Sequence, residues 1–285
     1  MKSALVVCGP TASGKSELSD ALAEGLTEER GGYVPTLVVD SMQVYRELPI
    51  ITNQARLRPA ELVGIVSVNE DWSVAAHGAR AAEIIAPEPA FVLDAGTGMY
   101  LNALLLDFPL APKVPRSIRR RAEEAASNEP NPRRAARARE LELAGADQQR
   151  GSVWEGNLRY ETAVLYLRPE RTDIDAAISG RSKKIAREGL GEAERLSDMQ
   201  ARGEKISPSV MGSVGVRELT QCLSGKISLD QAEDLIATRT RRFARRQIRW
   251  FDKLARTLEG RARISVSKDR KQAAVLHSMH DIIGP

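Results

Sequence analysis

Four short apolar runs, Ala4 to Cys8, Thr36 to Val39, Phe91 to Leu93 and Ala163 to Leu167, are each bounded by turn residues or charges. Runs of this length without polar alternation read as strands covered on both faces, the environment of a parallel sheet. Helix-like stretches such as Glu17 to Leu26 separate them. The alternation predicts a doubly wound α/β fold, a parallel sheet flanked by helices. Its ligand edge lies at the carboxyl ends of the strands, where Gly9, Asp40 and Asp94 fall.

The pattern changes from Phe108 to about Gly151. Pro109, Pro112, Pro115, Pro130 and Pro132 punctuate two charged helical segments with little apolar content. Such a segment cannot bury a core of its own, so it is expected to be a small helical insertion over 109–150. Residues 1–108 and 151–285 then form the catalytic core and its helical C-terminal part. From Asp173 to Leu258 the periodicity is amphipathic and helical, and Ile264 to Val266 reads as a late strand before a C-terminal helix. There is no internal repeat and no long low-complexity tract.

A chain of 285 residues with 42% hydrophobic content can bury one large core. The net charge of +4 excludes little on its own; what matters is that the arginines cluster. Cys8 and Cys222 lack the spacing of a disulfide framework or zinc site, which fits a reducing cytoplasm. The N-terminal apolar run is too short for a signal peptide, and no stretch approaches a membrane span. A cytoplasmic protein without membrane attachment is expected.

Gly9-Pro10-Thr11-Ala12-Ser13-Gly14-Lys15-Ser16 is a complete G-x-x-x-x-G-K-[ST] loop between a predicted strand and a predicted helix. Its backbone N–H groups can turn inward around phosphate oxygens, Lys15 adds a point charge, and the Ser16 hydroxyl is placed to ligate Mg²⁺. The fold class is therefore P-loop NTPase-like. The loop alone serves ATPases, GTPases, small-molecule kinases and transferases with a diphosphate leaving group.

Asp40 closes the second strand at the same edge. A carboxylate there can hold Mg²⁺ indirectly, bind a hydroxyl or accept a proton from a nucleophile; it can also merely cap the turn that follows. Gly96-Thr97-Gly98, after the third strand, forms a second anion-friendly rim, or equally a plain strand-to-helix turn.

Taken together and in order, G-P-T-A-S-G-K-S, V-D-S-M-Q-V-Y-R from Val39 and A-G-T-G-M-Y-L-N-A-L from Ala95 resemble the tRNA dimethylallyltransferases. Val214-Gly215-Val216-Arg217-Glu218-Leu219 and the run Thr240 to Phe251, T-R-R-F-A-R-R-Q-I-R-W-F, match that family's C-terminal signatures. Asn131 to Glu140 is a looser match. The resemblance implies transfer of a dimethylallyl group from dimethylallyl diphosphate to N6 of adenosine 37 in tRNA, with Mg²⁺ as cofactor. It implies Asp40, Thr97 and Arg217 as catalytic residues. Gly9, Thr11, Ala12, Ser13, Gly14, Lys15 and Ser16 become diphosphate ligands, and Ser16 the metal ligand.

The same resemblance assigns Asp40, Ser41, Met42 and Gln43 to the acceptor, and Arg119, Arg133, Arg134, Arg137, Arg241, Arg245, Arg246 and Arg249 to the tRNA, held by its anticodon stem-loop by a monomer. On a helix, Arg241, Arg245, Arg249 and Lys253, with Arg242 and Arg246 offset, form one positive stripe, and Phe243, Trp250, Leu254 and Leu258 fall largely opposite. Such a stripe can follow a phosphate backbone or be a solvated face.

Three features depart from the family pattern. Pro49-Ile50-Ile51-Thr52-Asn53-Gln54 replaces a glycine-threonine-x-lysine-proline run and with it a lysine. Glu61 to Gly64 stands where a His-His-Leu segment is usual, and the insertion between Leu106 and Asn131 is short. These changes keep open an isopentenyltransferase acting on free adenine nucleotides. A small-molecule kinase and a non-catalytic RNA-binding protein are further readings. His77, His277 and His280 form no metal pattern, and Trp72, Trp154 and Trp250 read as packing or stacking residues.

Overall fold

The computed structural model describes residues 1–110, 114–129, 132–145 and 153–269. β1 (Ser3–Cys8), β2 (Thr36–Val39), β3 (Ala90–Ala95), β4 (Glu161–Leu167) and β5 (Arg263–Ser267) form one sheet in the order β2-β3-β1-β4-β5. All neighbouring strands are parallel. β5 occupies the position expected of the late strand; the C-terminal helix expected after it falls outside the described residues, as do His277 and His280.

The sheet is built from the apolar runs because each strand is covered on both faces. Leu5, Val7, Val92 and Leu165 pack with Leu18, Leu22 and Leu26 of α1 (Lys15–Arg30) in one buried cluster. Spacing of four residues keeps these leucines on one side of the helix, directed onto β1 and β3. Losing one of them to alanine costs about 2–5 kcal/mol, so the phosphate loop that α1 continues is firmly seated. β3 extends past the predicted Leu93 because its register with β1, Val7 opposite Asp94 and Cys8 opposite Ala95, carries the polar Asp94 into the sheet.

A second cluster lies beside the first. Val44, Tyr45, Leu48 and Ile51, from the segment that follows β2, pack with Ile185, Leu196, Val216, Leu219 and Ile236. These come from α6 (Arg171–Glu188), α7 (Leu190–Ala201), α9 (Val216–Leu223) and α10 (Leu229–Leu258). Glu192, buried on α7, accepts from the Ile50 and Ile51 N–H groups at 2.7 and 2.9 Å. Burial pushes its carboxyl above the usual range, and these two hydrogen bonds work against that push. α10 starts at a reciprocal cap in which Ser228 and Gln231 satisfy each other's backbone N–H groups. α2 (Val74–Ile85), α3 (Gly98–Leu105) and the single turn α8 (Pro208–Met211) complete this unit.

The chain divides into two compact units, residues 1–105 with 158–285, and Leu106–Asn157. In the second, α4 (Arg116–Ala125) and α5 (Pro132–Leu143) bury Ala122, Ala126, Ala136 and Leu141. Its limits are wider than 109–150 because both ends pair with each other: the Asp107 N–H donates to the Asn157 carbonyl at 2.8 Å.

Candidate active site

Between Cys8 and Lys15 the chain folds into a tight cradle. Gly14 has φ +81° and Ala12 φ +65°, so the loop bends through left-handed conformations that direct successive N–H groups inward at the start of α1. Ser13 and Lys15 are each 8% exposed. The Ser13 hydroxyl is buried without a hydrogen-bond partner, an orphan that a phosphate oxygen would satisfy.

Gly96 marks where the motifs meet. A Cβ placed on it would lie 2.8 Å from the Asp40 Oδ2, 3.4 Å from the Lys15 Cε and 3.6 Å from the Gln247 Nε2. Only glycine leaves room for a carboxylate and a lysine to converge beside this backbone. Gln247, buried on α10, clamps the assembly: its Nε2 donates to the Gly96 carbonyl at 2.8 Å and its Oε1 accepts from the Thr11 N–H at 2.8 Å. One amide thus holds both anion-friendly turns in register.

Asp40 caps the turn that follows it and keeps one carboxylate oxygen out of that cap. Its Oδ1 accepts from the Met42 and Gln43 N–H groups at 2.8 and 3.3 Å, which is a turn cap. Its Oδ2 faces Gly96. Thr97 ties the same turn: its hydroxyl oxygen accepts from the Ser41 N–H at 3.1 Å, leaving the hydroxyl hydrogen to donate elsewhere. Ser41 and Met42 are half-buried, Gln43 is buried, and the Gln43 Oε1 is a second orphaned acceptor.

Two members of the site carried no readable signal in the sequence. Arg181, on α6, donates to the Thr11 Oγ1 at 2.6 Å. Burial lowers its hold on its proton and the nearby Asp40 charge counters this, so a desolvated guanidinium stands against the loop. It lies in Ser179-Gly180-Arg181-Ser182-Lys183-Lys184, a stretch with no phosphate-binding pattern. Gln247 does sit inside the T-R-R-F-A-R-R-Q signature, but periodicity says only that it shares the buried face of α10.

Beyond the Asp40 turn, His77 is fully buried and its Nδ1 accepts from the Trp72 indole N–H at 3.3 Å. Its ring lies 5.0 Å from that of Tyr100. Burial lowers the His77 pKa to about 4. Burial is also the main cause raising the Tyr100 phenol, reinforced by Tyr45 and Asp40.

The remaining predicted residues are less tightly gathered. Arg217 lies exposed in the first turn of α9 and makes no hydrogen bond or ion pair among the described residues. On α10, Arg242, Arg245, Arg246 and Arg249 are exposed, and Arg246 lies over the Phe243 ring at 5.8 Å. Arg241 is drawn away from that stripe, because α6 offers it the Ser179 hydroxyl at 3.0 Å and Asp175 at 3.5 Å. Trp250 packs against Gly98 and donates to the Asn102 Oδ1 at 3.1 Å. In the second unit, Arg119 and Arg137 both pair with Glu140. Arg133 and Arg134 lie on α5 with their side chains outside the described residues. Asp94, expected at the ligand edge, is instead buried and paired with Arg56.

Among the described residues no group of three or more His, Cys, Asp or Glu side chains is placed to hold a metal ion. For a metal ion the loop offers the Ser16 hydroxyl, half-buried in the first turn of α1. That donor set fits Mg²⁺, which keeps several waters and takes other ligands from a substrate's phosphates.

The loop between β1 and α1, with the Asp40 carboxylate near it and a parallel sheet of this order, gives the chain a P-loop NTPase-like fold. The family model for IPP transferase matches residues 43–142 and 125–254. A tRNA dimethylallyltransferase of Rubrobacter xylanophilus is 61% identical over 291 aligned residues, covering 100% of both chains. One from Chelativorans is 30% identical, covering 88% of this chain and 95% of its own. The crystal structure of the full-length tRNA isopentenylpyrophosphate transferase from Bacillus halodurans superposes with a TM-score of 0.69 at 26% identity, covering 96% of this chain and 93% of that one. The chain belongs to the IPP transferase family and is a prenyltransferase.

Proposed function

We propose that this chain transfers the dimethylallyl group of dimethylallyl diphosphate to N6 of adenosine 37 in tRNA, bound through the anticodon stem-loop, and that it works as a monomer in the cytoplasm. The observation that carries the chemistry is the convergence of Asp40 and Lys15 at Gly96. In the reaction the C1–O bond of the prenyl diphosphate breaks as N6–C1 forms, diphosphate departs, and N6 loses a proton. An exocyclic aromatic amine is a weak nucleophile, so a carboxylate that takes the proton as the bond forms lowers the barrier. The Asp40 Oδ2 is suited to this because Oδ1 is fixed by the turn.

The leaving group gathers negative charge. Lys15, the inward N–H groups of the loop, the Ser13 and Thr97 hydroxyls and the half-buried Arg181 can stabilise it without reorganising. Arg217, exposed on α9, is positioned by sequence rather than by contact, and we assign it to the same charge. Ser16 would hold Mg²⁺, whose charge further offsets that of the diphosphate. Gln43, with its unpartnered Oε1, is suited to receive the amino edge of the acceptor base, alongside Ser41 and Met42. Arg245, Arg246 and Arg249 offer cations to phosphates of the stem, and Arg119, Arg133, Arg134 and Arg137 of the second unit are further candidates.

Mass spectrometry of digested tRNA after incubation with dimethylallyl diphosphate and Mg²⁺, with AMP as a parallel acceptor, tests this reading. Prenylated adenosine in the tRNA alone is expected. Product on AMP alone would move the assignment to free nucleotides, and no product on either would reject prenyl transfer to adenine.

A further inference from the structure

The segment between β2 and α2 carries a guanidinium that is packed away from solvent. Arg56, 7% exposed, donates through Nη2 to the Asp20 Oδ1 at 2.8 Å and through Nη1 to the Asp94 Oδ2. The Leu57 N–H adds a bond to the Asp20 Oδ2 at 3.0 Å. Asp20 and Asp94 are themselves 3% and 1% exposed.

The surroundings make this placement costly. Asp94 is paired across the sheet with Val7, and Val7 and Val92 belong to the apolar cluster that receives Leu18 and Leu22. An apolar residue at each position would pack there without desolvating charge, and buried ion clusters are commonly no more stable than such replacements. The cluster is also incompletely satisfied, since the Arg56 Nε and Asp94 Oδ1 have no hydrogen-bond partner. Stability therefore does not account for it.

Its location does. Asp20 lies one helical turn beyond Ser16 on α1, so a force on Asp20 acts on the turn that bears Lys15 and Ser16. Asp94 is two residues from Gly96, where the Asp40 carboxylate and Lys15 converge. Arg56 itself ends the strap that begins at the Asp40 turn and is held along its length by Glu192 at Ile50 and Ile51 and by Gln54, whose Nε2 donates to the Tyr45 carbonyl at 2.8 Å. One guanidinium joins the three segments that carry the reacting groups.

We propose that Arg56 is a positioning residue for the diphosphate cradle, fixing α1 and β3 relative to the Asp40 turn through Asp20 and Asp94. This rests on reading Lys15 and Ser16 as diphosphate ligands. A planar fork can hold two carboxylates in fixed directions, whereas a lysine ammonium is a single flexible point charge. Arg56→Lys keeps the charge and loses the geometry. The triple change Arg56→Met, Asp20→Asn, Asp94→Asn removes every charge, so none is stranded.

The test is calorimetric titration of the full chain with inorganic diphosphate and Mg²⁺, with thermal melting and tRNA binding measured on the same preparations. Both variants are expected to fold and to bind tRNA as the wild type does. Diphosphate should bind at least fivefold more weakly to Arg56→Lys and at least tenfold more weakly to the triple variant, even where its melting temperature equals or exceeds that of wild type. Unchanged diphosphate affinity in either folded variant overturns the proposal, and a lowered melting temperature with unchanged affinity makes Arg56 a stability staple only. If the wild type itself fails to bind diphosphate, the reading of the cradle falls and takes the proposal with it.

Discussion

Asp40→Asn separates the turn cap that the structure shows from the proton-accepting role proposed for the same carboxylate. The cap uses Oδ1, which accepts from the Met42 and Gln43 N–H groups at 2.8 and 3.3 Å. Asparagine keeps an oxygen there and is itself a good cap, so both bonds survive in weakened, neutral form. The change also removes a negative charge that favours the half-buried Arg181 guanidinium. Together these losses should lower folding stability by about 1 kcal/mol. At Oδ2 the substitution puts an amide in place of the proton acceptor, and turnover should fall by about 10² to 10⁴, the usual contribution of a positioned general base. Asp40→Ala loses the cap as well and should cost a further ~1 kcal/mol of stability with a similar loss of rate. The assay is a single-turnover measurement with saturating tRNA and dimethylallyl diphosphate, paired with a melting curve on the same sample. A normal rate in a folded Asp40→Asn protein would refute the assignment of Oδ2 as proton acceptor.

Gln247→Ala breaks the bond to the Thr11 N–H and the bond to the Gly96 carbonyl together; leaving two buried partners unpaired should cost about 2–4 kcal/mol of stability and raise KM for dimethylallyl diphosphate, and a KM unchanged in steady-state kinetics would show that the clamp does not set the cradle. Neutralising Arg245, Arg246 and Arg249 should reduce the log–log salt slope of tRNA binding by roughly 0.7 to 0.9 per lost phosphate contact, whereas the same change at Arg241, already paired with Asp175, should have a smaller effect; an unchanged slope returns the stripe to a solvated face. Burial lowers the folded-state pKa of His77 to about 4 from its ordinary 6.5, so the unfolded chain binds the extra proton first. The resulting stability is complete above about pH 6.5 and is lost as the pH falls through about 4, amounting to about 3 kcal/mol. His77→Phe should flatten the melting temperature between these limits, and an undiminished acid slope would place the titration elsewhere.

The sheet and its flanking helices were legible because unbroken apolar runs separated by amphipathic stretches admit few other arrangements. The cradle was legible because its residue types and spacing are dictated by the geometry of a bound phosphate. Composition also marked Phe108 to about Gly151 as a segment too charged to behave like the rest, though not where the ends of the structural unit pair. What local pattern does not encode is which distant side chains meet. Arg181 and Gln247 reach Thr11 from positions 170 and 236 residues away, and nothing in their own neighbourhoods requires it. The partial withdrawal of Arg241 from the basic stripe depends on α6 packing beside α10 and presenting Asp175. The same holds for Asp94: by strand position it belongs to the ligand edge, yet the side it faces, and the guanidinium it finds there, follow from register with Val7 and from the path of the strap that carries Arg56. Sequence determines the elements and the local chemistry because those depend on near neighbours along the chain; tertiary structure decides partnerships, because a buried charge takes whatever opposite charge the packing brings to it.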